Sequence, residues 1–94
     1  MKLILRLFVD NTDRYDLGWR DEQFFGIISA TLKNPHGYDE VEAIDLTFDG
    51  RERKLKLKKD NKEHEINLKV WKEHSEDKSV LVAEIWPVIV SISM

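Results

Sequence analysis

Residues 41–72, VEAIDLTFDGRERKLKLKKDNKEHEINLKVWK, decide the fold. Apolar residues recur there at every second position in three runs. Ile44, Leu46 and Phe48 alternate with Asp45, Thr47 and Asp49. Leu55 and Leu57, with Arg53 in phase, alternate with Lys54, Lys56 and Lys58. Ile66, Leu68 and Val70 alternate with Glu65, Asn67 and Lys69. A period of two is that of strands with one buried face. Asp49-Gly50 and Asp60-Asn61 divide the runs, and such dipeptides are strong hairpin signals. The stretch reads as a three-stranded antiparallel meander.

A two-residue loop at Asp60-Asn61 sets Lys58 against Glu63, Lys56 against Glu65 and Lys54 against Asn67. Leu57, Leu55 and Arg53 then meet His64, Ile66 and Leu68 on the other side. The same construction at Asp49-Gly50 sets Thr47 against Glu52 and Asp45 against Lys54. Both registers bring the apolar sets together, as a one-sided sheet requires. They also turn the lysines into partners of neighbouring acids.

Outward from the meander, residues 2–9 read as a first strand with Leu3, Leu5, Leu7 and Val9 on one face. Residues 11–20 have turn composition, and Asp21 reads as the N-cap of a helix. Phe24, Ile27, Ile28, Thr31 and Leu32 form its apolar stripe, and Asn34-Pro35 ends it. Gly26 lowers helix propensity unless it permits a close approach to the sheet. Glu73 to Lys78 reads as a polar connection. Ser79 to Met94 is strongly β-prone but interrupted by Pro87. Leu81, Ala83 and Ile85 share a face before the proline, and Val88, Val90 and Ile92 after it, the phase change of a bulge. The expectation is one α+β domain over residues 1–94, in the order β-α-β-β-β-β. A mostly antiparallel sheet of about five strands carries one helix on one face.

The 94 residues carry 41% hydrophobic and 35% charged side chains, which suits a globular chain rather than a disordered one. Cysteine is absent, which excludes disulfides and thiolate chemistry and fits a reducing, cytoplasmic setting. The N-terminal apolar run is short, broken by Arg6, and followed by no small-residue cleavage site. Net charge is −3. Acids dominate from Asp10 to Asp49, where only Arg14, Arg20 and Lys33 oppose them. Bases dominate from Arg51 to Lys62, where only Glu52 and Asp60 oppose them.

No motif for catalysis is present. The histidines His36, His64 and His74 stand in no metal-binding spacing, and no metal or cofactor is expected. The register points His64 inward as a structural residue. Asp10, Asp13 and Asp16 are spaced by threes, without the glycine and closing glutamate of a calcium loop. Phosphate-binding and nucleophile signatures are missing as well.

The anomaly lies in the terminal strands, which are apolar on both faces. Ile4 and Phe8 oppose the leucine face of the first strand. Trp71 opposes Ile66, Leu68 and Val70, while Val80, Val82 and Trp86 oppose Leu81, Ala83 and Ile85. Either the segment around Tyr15, Leu17 and Trp19, or a sheet curled on itself, covers this second face, or it is an interface. Tryptophan is enriched in binding hot spots. Candidate contact residues are therefore Trp71, Trp86, Phe8, Ile4, Val82 and Trp19. The leading expectation is a non-enzymatic protein-binding module, a small inhibitor, antagonist or immunity-type protein such as bacteria and phages encode. One alternative is nucleic-acid binding through Arg51, Arg53, Lys54, Lys56, Lys58 and Lys59, although overall acidity opposes it. Another is a homo-oligomeric subunit, such as a homodimer, with the terminal strands paired across a symmetry axis.

Overall fold

The computed structural model describes residues 2–10, 17–44, 47–75 and 78–87. Strand β1 (Leu3–Asp10) precedes helix α1 (Leu17–Lys33), the two-residue strand β2 (Glu40–Val41), β3 (Arg53–Lys59), β4 (Lys62–Ser75) and β5 (Lys78–Trp86). The strands form one sheet in the order β1-β5-β4-β3-β2, with every neighbouring pair antiparallel. This is the expected α+β fold.

The β3–β4 hairpin adopts the register read from the sequence: Lys58 pairs with Glu63, Lys56 with Glu65, Lys54 with Asn67 and Leu55 with Ile66. Asp60 and Asn61 have φ of 53° and 63°, the left-handed pair that matches strand twist in a two-residue loop. On the helix side, Leu55, Leu57, Ile66, Leu68, Val70, Leu81, Ala83 and Ile85 are buried. Against them lies the helix stripe Phe24, Ile28 and Leu32, spaced by four so that all three point one way and are fully buried.

Asp49-Gly50 makes no hairpin. The partner of β3 on that side is β2, with Glu40 opposite Lys58 and Val41 opposite Leu57. The Asp49 carboxylate accepts the Arg51 amide at 3.0 Å, and the Gly50 amide donates to the Val70 carbonyl at 2.8 Å. These bonds lead the chain into β3 alongside β4, and residues 42–44 and 47–52 belong to no strand. The expected contact of Asp45 with Lys54 lies outside the described residues.

Three further expectations change. The helix begins at Leu17, so Asp21 sits in its second turn and is no cap; its carboxylate meets Lys72 instead. Ile27 is 36% exposed. Phe25 takes the remaining packing position, stacked on Phe48 at 5.4 Å between ring centroids. Gly26 approaches nothing, because a Cβ there would have no atom within 4 Å. At the other end of α1, the carbonyls of Thr31, Leu32 and Lys33 accept the amides of His36, Tyr38 and Gly37. The φ of +81° at Gly37 lets the chain turn back to make these bonds. Strand β4 runs through the expected polar connection as far as Ser75, which pairs with Lys78. Val88, Val90 and Ile92, with the bulge expected around them, lie outside the described residues.

Candidate protein-contact face

Among the described residues, the sheet has one face under α1 and one without a helix. On the latter the pairing register lines up rows from β1 through β5 to β4. Phe8, Val80 and Glu73 form one row; Arg6, Val82 and Trp71 the next; Ile4, Glu84 and Lys69 the third. Trp86 and Asn67 are paired beyond them. The two-faced character of the terminal strands thus has two outcomes. β5 is internal, between β1 and β4, whereas β1 is an edge among the described residues.

Phe8 is 71% exposed and Ile4 46%, a large apolar outlay for one short strand. Trp71 and Trp86 are half-buried. The Trp71 indole Nε1 donates to Glu73 Oε1 at 3.0 Å. Lys2 Nζ lies 5.0 Å from the ring centre of Trp86 and forms an ion pair with Glu84. Both rings are held in place by charged groups whose stems flank the apolar strip.

Val82 is not available at this surface. It is 0% exposed, although it lies outside the cluster of core residues under the helix. In register it stands between Arg6 and Trp71, two of the longest side chains on the face. It is a floor residue of the strip rather than a contact residue. Trp19 lies in the first turn of α1, and its side chain is outside the described residues, as are those of Tyr15 and Leu17. Arg6 and Val80 stood outside the contact set read from the sequence. Their parity marks them for this face, but only strand order shows that they adjoin Trp71 and Phe8.

The basic candidates do not gather. Lys54, Lys56 and Lys58 are exposed on the open face, while Arg53 and Lys59 have the parity of the helix side and Arg51 precedes the strand. Lys54 Nζ lies 3.1 Å from Glu65 and Lys58 Nζ 3.8 Å from Glu40. Arg53 Nη2 is 2.9 Å from Asp49 Oδ2, and Arg51 Nε 4.0 Å from the same oxygen. The Arg51 amide and the Arg53 guanidinium hold the Asp49 carboxyl below its ordinary value of 3.8.

The histidines are dispersed. His36 is buried after the helix, His64 packs edge-on against Tyr38 at 6.1 Å, and His74 Nδ1 is 2.8 Å from Ser79 Oγ. Among the described residues no three metal-ligating side chains come together, and no helix is long and apolar enough to cross a membrane. Asp13 and Asp16 lie outside the described residues. No protein-family model, curated protein or solved structure matches this chain.

Proposed function

We propose that this chain is a non-enzymatic protein-binding module, of the inhibitor or antagonist kind, whose open sheet face occupies the surface of a partner. The observation that carries the reading is the exposure of Phe8 and Ile4, in phase on either side of Arg6 on strand β1, with Trp71 and Trp86 on the same face of the sheet. Exposed apolar groups gathered on one face are what an interface requires, with aromatic anchors at its centre and a charged rim. Lys2, Lys69 and Glu73 supply the rim, while Arg6 and Glu84 are set among the apolar residues. The cysteine-free composition fits a cytoplasmic setting.

The lysines of β3 weigh less. Two of the three on the open face have carboxylates at hand, and Arg53 and Lys59 face away from them. Affinity purification with tagged wild type, Phe8→Lys and Lys56→Glu chains tests the reading. A partner held by wild type and by Lys56→Glu but lost from Phe8→Lys supports it. A nucleic acid recovered with wild type and lost from Lys56→Glu sinks it.

A further inference from the structure

The two edges of the sheet are finished differently. On the β3 side the main chain is closed by acids. Asp39 donates its amide to the Lys58 carbonyl and accepts the Asp60 amide through its carboxylate, both at 2.8 Å. Glu42 does the same to Lys56, donating at 3.0 Å and accepting at 2.9 Å. Carboxylates placed there occupy groups that another strand would use. The β1 edge is eight residues long, and among the described residues its one neighbour in the sheet is β5. Both its faces are unfinished: Ile4 and Phe8 are exposed, while Leu3, Leu5 and Leu7 remain only partly buried beneath the helix layer.

A strand that is apolar on both faces has the composition of a sheet interior. The sequence of β1 also fits itself. Turned antiparallel about Arg6, it sets Leu5 against Leu7, Ile4 against Phe8 and Leu3 against Val9, with position 2, a lysine, opposite position 10, an aspartate. Because each pair has the same parity, helix-side residues meet helix-side residues and open-face residues meet their own kind, as a two-fold axis normal to the sheet demands.

We infer that β1 pairs with β1 of a second copy about Arg6, joining two five-stranded sheets into one. This rests on the reading of the Phe8 and Ile4 surface as a contact surface and names a second copy as its occupant. Cross-strand aromatic and aliphatic pairs stabilise the junction, and main-chain hydrogen bonds extend the ladder. Arg6 meets its own copy at the axis, where like charges oppose pairing. The dimer is therefore reversible, and its affinity responds to charge in a way no unlike partner reproduces.

Light scattering over a range of concentrations reads the mass. Wild type should approach twice the 11.1 kDa of one chain at high concentration. Arg6→Thr should tighten the dimer roughly two- to fivefold, added salt should tighten wild type, and Phe8→Lys should weaken it with an unchanged circular dichroism spectrum. The chain has no cysteine. Arg6→Cys should therefore form a disulfide dimer under oxidation, since directly opposed residues bring their Cβ atoms to about 4.5 Å at the closest, the far end of the span a disulfide takes. Lys58→Cys, exposed on the same face but at the far edge, should not.

A wild-type chain that stays monomeric at every concentration overturns the inference, as does Arg6→Cys cross-linking no faster than Lys58→Cys. A dimer that forms only after residues 88–94 are removed also overturns it, by assigning the edge to that segment. If the chain is monomeric and Phe8→Lys still loses a different protein in purification, the contact-surface reading stands and only the second copy falls.

Discussion

The Lys72 ammonium, on the helix side of β4, lies 3.1 Å from both carboxylate oxygens of Asp21 on α1 and 4.7 Å from the ring centre of Phe48. One cation thus ties three parts of the chain that are distant in sequence. The ion pair is about a quarter exposed on each side, so solvent screens it and its coupling should stay below about 1 kcal/mol. The expected result of a Lys72→Met, Asp21→Asn double-mutant cycle in urea is a small favourable coupling. Lys72→Ala should cost more than Lys72→Met, because it also removes the stem.

Gly26 sits in the middle of α1 with open space where a side chain would begin. Glycine there gives up helix propensity and gains no contact. Gly26→Ala should stabilise the fold by about 1 kcal/mol, raising the thermal midpoint by roughly 4–8 °C for a domain of this size. A lower midpoint in calorimetry would mean that the helix surface at Gly26 is in use.

Asp49 gives the acid limb of the stability curve a readable origin. The Arg51 amide and the Arg53 guanidinium favour the carboxylate, so the folded chain binds this proton at lower pH than the unfolded chain. The stabilisation is whole above the ordinary value of 3.8 and is lost as pH falls through the depressed one. Asp49→Asn should therefore be less stable than wild type near neutral pH, with the gap closing in strong acid. Thermal midpoints measured at neutral pH, pH 4 and pH 2 check the sign.

Local signals in this chain predict local structure well. The β3–β4 register follows from Asp60-Asn61 because turn geometry and alternation act on the same few residues. Asp49-Gly50 carries the same signal, yet the Asp49 side chain is spent on the Arg51 amide and Arg53, and Gly50 bonds to Val70 of β4. A distant strand outcompetes the hairpin, and no local pattern reports that. The contact face is legible to the same degree. Parity placed Ile4, Phe8, Trp71 and Trp86 on one side of the sheet. It did not show that β5 lies between β1 and β4, and this order buries Val82 while leaving Phe8 open.

That order separates two functions on one face. Val82 is sealed in register between Arg6 and Trp71, so Val82→Ala leaves a small void and removes two carbons from a dry site. At roughly 0.8 kcal/mol per CH₂ group, the cost should be about 1.5–2 kcal/mol. Phe8 has little packing to lose, and Phe8→Lys should change stability by less than about 0.5 kcal/mol. Trp71→Ala should cost at least as much as Val82→Ala, roughly 2–3 kcal/mol, in a chain that still folds, since it uncovers Val82 as well as removing a half-buried ring. Denaturant midpoints for the three variants, set beside retention of a partner, separate floor from rim. The contact reading requires Phe8→Lys to lose the partner at near-native stability; a Phe8→Lys chain that unfolds as readily as Val82→Ala would show that Phe8 belongs to the packed structure and remove the interface's main anchor.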